Sequence, residues 1–173
     1  HLNAENTYDV SADLYSLSEH SNYIICSGAK SILDLDKTYE LLETLGITRV
    51  GYKTNYMPGF WYSETSHQVD NNFENVSDIS SFLKLNSKLK HKKSILIFNK
   101  VPDINAISKE KINEWINSAL LRAEKNKISG KELTPFLIKE INNFSNNKTL
   151  KANISLIINN ADLAGKIAKN YYS

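Results

Sequence analysis

A strand, a helix and a second strand follow one another closely near the start of the sequence. The first strand spans 22–27 and is β-branched at its centre, as buried strands usually are. Apolar residues then recur at helical spacing over 32–45, and Gly46 suits the position just after a helix. A second strand over 48–52 comes next. Because the connections are short, this order predicts parallel strands of one sheet.

The remainder of the chain adds one strand and several helices. A third apolar strand is predicted over 94–98, after a helix over 76–89. Three further helices are predicted over 108–125, 134–144 and 149–171. Ser108 is the predicted N-cap of the first of these, and Thr134 followed by Pro135 is the predicted N-cap and N1 pair of the second. The sequence therefore predicts an α/β fold with a mixed or mostly parallel sheet flanked by helices in α/β/α layers, and a helical C-terminal portion.

The irregular stretch over 53–75 carries a cluster of aromatic residues around Pro58 and Gly59. Its members are Tyr56, Phe60, Trp61 and Tyr62. Loops with this composition either face a ligand or pack their rings on the body of the protein or on a neighbouring subunit. Packing is the preferred interpretation, and a ligand-facing loop is the alternative.

The charge balance and the cysteine count narrow the class of protein. There are 21 Lys and Arg against 19 Asp and Glu, so the formal net charge is only +2, which argues against a general nucleic-acid binder. No apolar run approaches the roughly 20 residues of a membrane-spanning helix. The single cysteine excludes an internal disulfide and a cysteine-based zinc site, and it fits a reducing compartment. We therefore expect a cytoplasmic protein without a membrane or nucleic-acid partner.

Lys30 is the residue whose position in the pattern best suits chemistry. It follows the first predicted strand, and active groups of α/β folds gather beyond the carboxyl ends of strands. Gly28 and Ala29 leave room for a substrate to approach the backbone. Ser31 and Asp34 match a capping box, which predicts that the helix starts at Lys30 or Ser31.

The predicted surroundings of Lys30 favour a neutral amine. A helix N-terminus and partial burial both disfavour an ammonium ion, and a free amine can form a Schiff base with a sugar carbon. The alternative is an ordinary exposed lysine after a Gly-Ala turn. Since the chain has 19 lysines, the pattern alone favours that alternative.

A second group of candidate residues is Asp9, Ser11 and Asp13. In an extended segment alternate side chains face the same side, so two carboxylates and a hydroxyl would point together. Such oxygen ligands suit Mg²⁺ or Mn²⁺ held largely through water and a substrate phosphate. The alternative, which the residues alone favour, is an Asx-type turn or a cap before a short helix.

The segment around Lys30 resembles the central motif of the pseudouridine-5′-phosphate glycosidase family. Members carry CAGAKSILD followed by a helix ending in YLETxGVxxxGY, and this chain reads CSGAKSILDLDKTYELLETLGITRVGY. Further stretches resemble the family at 1–5, 8–14, 130–138 and 149–161. The resemblance therefore extends over the whole chain.

The resemblance implies a reaction and a role for Lys30. The family reversibly cleaves pseudouridine 5′-phosphate to uracil and ribose 5-phosphate and uses a divalent cation, typically Mn²⁺ and otherwise one such as Mg²⁺. The bond broken is carbon–carbon, so protonating a leaving oxygen, as glycosidases usually do, is not sufficient. The resemblance implies that Lys30 attacks the anomeric carbon, opens the ribose ring and forms a Schiff base.

The resemblance also assigns roles to other residues. It implies that Asp9 is a metal ligand and that the substrate contacts are Ser11, Ala12 and Asp13. It implies that His1 and Asn153 contact the phosphate, for which an imidazole and an amide NH₂ are suitable donors. It further implies a homo-oligomer, which is a trimer in the family. The segment 56–62, called the aromatic stretch below, could serve such an interface.

Two departures from the family pattern concern this chain. Leu2 and Asn3 replace an arginine and a glycine, and Lys92 and Lys93 replace two glycines, which leaves turn geometry and pocket shape open there. Family chains also carry a long N-terminal portion before the histidine that aligns with His1, with the catalytic glutamate acid and another phosphate-binding lysine. The resemblance therefore implies that residues 1–173 are the C-terminal part of one domain.

Three functions remain open from the sequence. The first is the C-terminal part of a pseudouridine-5′-phosphate glycosidase that works with the missing N-terminal portion of the same protein. The second is a truncated or split homologue without catalysis, serving in assembly or in sugar-phosphate binding. A weaker third is an unrelated, lysine-dependent, aldolase-like enzyme.

Overall fold

Parallel pairing organises the sheet at the centre of the molecule. The computed structural model describes residues 1–2, 4 and 8–173, with Lys131 described by its backbone alone. In these residues the strands are Tyr23–Cys26 (β1), Thr48–Tyr52 (β2), Asn71–Phe73 (β3) and Ile95–Phe98 (β4). They form a parallel sheet in the order β1-β4-β2-β3. All four residues of β4 are buried, since it lies between β1 and β2.

Helices account for most of the remaining chain. Within residues 8–173 they are Ala12–Glu19 (α1), Leu35–Thr44 (α2), Val76–Lys88 (α3), Lys109–Lys125 (α4), Leu133–Phe144 (α5) and Lys148–Tyr172 (α6). Short 3-10 turns precede α4 and α5, at Asp103–Asn105 and Gly130–Glu132. Across the part of the chain described here, no helix is long and apolar enough to cross a membrane.

Both faces of the sheet are covered by helices, so the predicted layers are confirmed. In β4, Ile95 and Ile97 point to one face and Leu96 and Phe98 to the other, as the period of two requires. The first face packs against α3 and α6. The second packs against α2, with α1 in partial contact. The buried residues of the first face are Val50, Ile79, Leu83, Ile95, Ile97, Leu163 and Ile167, and those of the second are Tyr39, Leu42, Ile47, Met57, Leu96 and Phe98.

A third cluster confirms the helical C-terminal portion. It joins α4, α5 and the first half of α6 to the aromatic stretch and to Ile32 after β1. Its buried members are Ile32, Trp61, Tyr62, Val101, Ile112, Ala119, Ala123, Leu137, Ile141, Ala152 and Leu156. The loop that carries Lys30 is therefore anchored to this helical cluster.

The strand order differs from the simplest interpretation of the sequence. The strands β1 and β2 are parallel, as predicted, but they are not neighbours, because β4 lies between them. The continuous apolar run of β4 suits the most buried position in a parallel sheet. The short strand β3 falls in the stretch predicted to be irregular, because its sequence, Asn-Asn-Phe, is largely polar and exposed.

Two predicted helix starts are wrong. The helix α2 begins at Leu35, with the Asp34 carboxylate accepting from the Lys37 N–H at 3.0 Å. Ser31 does not cap it, because its hydroxyl donates to the Gly59 carbonyl. The helix α5 begins at Leu133 directly after a 3-10 turn, so Thr134 lies inside its first turn and is not the N-cap.

The C-terminus of α2 ends at Gly46 as predicted. Gly46 has φ +67°, and the N–H groups of Gly46 and Ile47 donate to Glu43 and Leu42, which is a Schellman motif. The Lys93 ammonium donates to the Leu45 carbonyl at 2.5 Å. Lys93 thus places a cation at the negative end of this helix.

We predict that Lys93→Met destabilises the fold by about 1 kcal/mol, because a charge-assisted bond at the end of α2 is lost. Urea unfolding followed by circular dichroism measures the change in midpoint. Lys92→Met is the matched control, since Lys92 is exposed and neighbouring. Equal midpoints for the two variants would contradict the capping role of Lys93.

Candidate active site

A cavity of about 520 Å³ lies between α1, α2 and the sheet face that these helices cover. Its apolar wall includes Ile24, Leu96 and Phe98 from β1 and β4. At one end it reaches the loop after β1, where Lys30 is one of the lining residues. This volume is within the range of small-molecule sites.

Four of the residues singled out from the sequence line this one cavity. They are His1, Ser11, Asp13 and Lys30. Asp9 lies beside His1, with its carboxylate oxygen 3.5 Å from the imidazole Nδ1. Ala12 is exposed as the first residue of α1 and is not among the lining residues. An imidazole, a carboxylate, a hydroxyl and an amine are therefore available to one ligand.

Ser11 caps α1. Its hydroxyl accepts from the Asp13 N–H at 3.3 Å, and the helix begins at Ala12. The expectation of an extended segment through Asp13 is therefore wrong, and the alternative of a cap before a short helix is correct for Ser11. Asp13 lies in the first turn, where the positive end of the helix suits a carboxylate.

Lys30 is exposed, and it lies in the loop before α2. The predicted partial burial and helix N-terminus at this residue are therefore wrong, because α2 starts five residues later. The loop itself is tightly held. The Phe60 N–H donates to the Ser27 carbonyl at 2.9 Å, and Gly28 has φ +89°, with no space for a Cβ beside the Pro58 carbonyl. The backbone that carries Lys30 thus depends on the aromatic stretch.

The aromatic stretch packs on the body of the protein, and one of its rings also lines the cavity. Trp61 and Tyr62 are buried in the helical cluster, so packing on the body of the protein is confirmed for these rings. Phe60, with φ +67°, lines the cavity that holds Lys30. The sequence could not single out Phe60, because adjacent aromatic residues look alike in a sequence. The backbone conformation decides which ring reaches the cavity.

Asn153 lies apart from the cavity that Lys30 lines. Its Oδ1 accepts from the Trp61 indole N–H at 2.7 Å, across 92 positions of sequence. An indole N–H can only donate, so this bond fixes which amide atom faces Trp61 and leaves the Nδ2 group directed elsewhere. The bond to Trp61 connects Asn153 to the aromatic stretch, whose Phe60 lines the cavity.

The Cys26 thiol and the Tyr39 phenol of the cavity are held neutral. Removal from water raises the pKa of the Cys26 thiol from 9.0 to about 11. Burial also raises the pKa of the Tyr39 phenol, whose hydroxyl donates to the Pro58 carbonyl. Neither group is ionised at neutral pH, so neither is an activated nucleophile. Among the described residues, Lys30 is the lysine that lines the cavity.

The donor set near Asp9 fits a weakly held, hydrated divalent cation. The Asp9 side chain is 53% exposed beside His1. Among the described residues no group of three or more His, Cys, Asp or Glu side chains could form a closed metal site. One carboxylate completed by water and substrate oxygens is a usual arrangement for Mg²⁺, and Mn²⁺ accepts the same ligands.

The replacements at Lys92 and Lys93 lie away from this cavity. Neither lysine is among its lining residues, and Lys93 is bonded to the end of α2. The replacement at Leu2 places an apolar side chain against the helical cluster. Asn3 is outside the described residues.

Comparisons with known proteins agree on one family. Residues 1–170 match the family model described as indigoidine synthase A like protein. A pseudouridine-5′-phosphate glycosidase from Kosmotoga olearia is 42% identical over 161 residues, which is 93% of this chain and 56% of the relative. One from Hahella chejuensis is 38% identical over the whole chain and 57% of the relative. The chain spans about half the length of the curated relatives it matches.

Solved structures show the same fold. A crystal structure of the prealnumycin C-glycosynthase in complex with ribulose 5-phosphate matches with a TM-score of 0.91 at 26% identity, over 99% of this chain and 56% of that one. An indigoidine synthase A-like protein from Thermotoga maritima matches with a TM-score of 0.82 at 36% identity, over 92% and 53%. Together with the family model, these matches show that the chain belongs to the indigoidine synthase A-like family.

Proposed function

We propose that the chain forms the lysine-bearing part of a lyase or C-glycosidase that reversibly cleaves pseudouridine 5′-phosphate to uracil and ribose 5-phosphate. The observation that carries the proposal is the position of Lys30, in a braced loop at a cavity shared with His1, Ser11 and Asp13. The relatives named pseudouridine-5′-phosphate glycosidases support the substrate. The neighbour solved with ribulose 5-phosphate supports a pentose phosphate in this fold.

In the proposed reaction Lys30 supplies the electron pair that replaces the broken bond. Its Nζ bonds to C1 of the ribose, and the ring oxygen leaves C1 and becomes a hydroxyl. The nitrogen lone pair then expels the uracil carbon, which takes up a proton. A Schiff base remains between Lys30 and the sugar, and water hydrolyses it to ribose 5-phosphate and the free amine.

The other residues that the family resemblance selected, some lining the cavity and some outside it, orient the substrate in this proposal. The Ser11 hydroxyl and the Asp13 carboxylate, with Ala12 between them, face the ribose hydroxyls. His1 and the Asn153 Nδ2 group donate to the phosphate, and the Trp61 bond to Oδ1 supports that orientation of the amide. Asp9 would hold Mn²⁺ or Mg²⁺, which supplies positive charge near the phosphate when bound.

The proton for the uracil carbon comes, in this proposal, from the part of the relatives that this chain does not match. The family resemblance assigns both the glutamate acid and a phosphate-binding lysine to that N-terminal portion. Because that lysine and Asn153 would bind the same phosphate, the N-terminal portion would have to approach Asn153 on α6. The adjoining outer face of α6 is apolar and exposed. Its residues are Leu150, Ile154, Ile157 and Ile158. We infer that the missing portion packs on this face, with a trimer and a cytoplasmic location as further parts of the proposal.

A second candidate function is a non-catalytic homologue that binds sugar phosphates or serves in assembly. The observation that favours it is that Lys30 is exposed and lies five residues before α2, so neither burial nor a helix N-terminus acts on its amine. The two functions differ in uracil release. Release from pseudouridine 5′-phosphate with Mn²⁺, once the chain is joined to the missing portion, supports the enzyme, and ligand binding without release supports the alternative.

We predict that borohydride reduction with ribose 5-phosphate leaves a covalent adduct on Lys30, identified by peptide mass spectrometry. Lys30→Met removes the adduct, because Lys30 is the lysine that lines the cavity among the described residues. Lys109→Met is the control, since Lys109 is exposed at the start of α4. An adduct spread evenly over the lysines, or absent from Lys30 in a chain that includes the missing portion, would falsify the nucleophile assignment.

We predict that Asp9→Asn lowers the affinity for Mn²⁺ by at least about tenfold, because the neutral amide is a poorer ligand than a carboxylate. Paramagnetic resonance of free Mn²⁺ during titration measures binding without any turnover. Asp103→Asn is the control, since Asp103 is exposed in the 3-10 turn before α4. Identical titrations for both variants would remove Asp9 from the proposal.

A further inference from the structure

Two buried polar residues leave the sheet side by side. In the register of β1 and β4, Cys26 pairs with Phe98, so the next residues are Ser27 and Asn99. Their exposed fractions are 2% and 6%. The Asn99 N–H continues the pairing by donating to the Cys26 carbonyl at 2.9 Å. Polar side chains buried to this degree need hydrogen-bond partners.

Both partners come from one amide on α6. The Nδ2 group of Asn160 donates to the Ser27 hydroxyl at 3.1 Å, and the Asn99 Nδ2 group donates to the Asn160 Oδ1 at 3.1 Å. The Ser27 hydroxyl is also within 3.3 Å of the Asn160 Oδ1. One side chain from the last helix therefore joins the ends of β1 and β4.

The bonds of Asn160 to Ser27 and Asn99, called the bridge below, hold the segment that carries Lys30. Ser27 is three residues before Lys30, and its carbonyl accepts from the Phe60 N–H. Asn160 thus holds the side chain of Ser27 while the aromatic stretch holds its backbone. Beyond Lys30, the Ser31 hydroxyl donates to Gly59, and Ile32 is buried in the helical cluster.

The neighbouring Asn159 shows that the bridge is specific to one face of α6. Its Nδ2 group donates to the Lys100 carbonyl at 3.1 Å, so it holds the chain after β4 and not the loop after β1. Asn160 itself does not line the cavity of Lys30. A role for Asn160 in the reaction would therefore have to pass through Ser27.

We propose that Asn160 is a positioning residue, which fixes Ser27 and thereby holds the Lys30 amine in the direction of the bound sugar. This inference rests on the proposed function of Lys30. Two measurements separate the position of the segment from the chemistry of the amine. Hydrogen exchange of the backbone amides reports how firmly the segment is held, and borohydride trapping reports the reaction of the Lys30 amine.

The experiment compares Asn160→Ala with Asn159→Ala in a chain that includes the missing N-terminal portion. Hydrogen exchange is followed at the Phe60 and Leu33 amides, which donate to the Ser27 and Lys30 carbonyls. Borohydride trapping with ribose 5-phosphate is followed at Lys30. Thermal unfolding gives the stability of each variant, so that trapping is compared at temperatures where all are folded.

We expect Asn160→Ala to speed exchange at both amides and to lower the rate of trapping at Lys30 by about ten- to a hundredfold, the scale of a displaced reacting group. Asn159→Ala leaves both readouts unchanged. Ser27→Ala lowers trapping to a similar extent, and the double variant Ser27→Ala with Asn160→Ala is no slower than either single variant, since both break the same bridge.

Each contrary outcome points to a different conclusion. Unchanged exchange in Asn160→Ala, equal losses in Asn160→Ala and Asn159→Ala, or additive losses in the double variant would overturn the positioning role. A lack of any Lys30 adduct in the unsubstituted chain would instead overturn the nucleophile on which the inference rests, whatever the exchange data show.

Discussion

The parallel pairing of β4 with both β1 and β2 is the constraint on which the rest of the structure depends. Strands that run in one direction end at one edge of the sheet, so the chain must cross back over a face after each of them. Those crossings place helices on both faces. They also bring the residues that follow β1 and β4 into contact, which is how Ser27 and Asn99 become neighbours.

The loop after β1 owes its shape to tertiary contacts more than to its own sequence. A helix N-terminus at Lys30 would have fixed this backbone locally. The structure uses the aromatic stretch and α6 for the same purpose, with bonds to Ser27 and Ser31 on either side of the lysine. Lys30 is consequently an exposed side chain on a constrained backbone, a combination that leaves the amine accessible while limiting its position.

Local patterns predicted most elements, because hydrophobic periodicity and caps are encoded over a few residues. The bounds of β2 and the Ser108 cap agree with prediction, and α3 and α6 differ from it by single residues. The place of β4 between β1 and β2, and the loss of Ser31 as a cap, depend on residues distant in sequence. The polar strand β3 carries no apolar signal and was missed for that reason.

The sequence also predicted only some of the residues of the candidate site. The pattern after β1 drew attention to Lys30, and the alternation over 9–13 drew attention to Ser11 and Asp13. The family resemblance added His1, and all four residues share one cavity. The resemblance also selected Asn153, which contacts Trp61 instead of the cavity. Phe60 and Asn160 were not singled out, since a ring among rings and an amide on a helix have no distinctive local pattern.

The large sequence separation between paired strands, and between hydrogen-bonded residues, affects the order in which the chain folds. β1 pairs with a strand about 70 positions later, and Ser27 meets Asn160 across 133 positions. Contacts of such separation form late, because long loops must close before they contribute. During synthesis the lysine segment emerges before α6 and has no complete set of partners until α6 has left the ribosome. A chain that stops before α6 therefore lacks the Asn160 bond to Ser27 and loses part of the cover over the sheet face of Ile95 and Ile97.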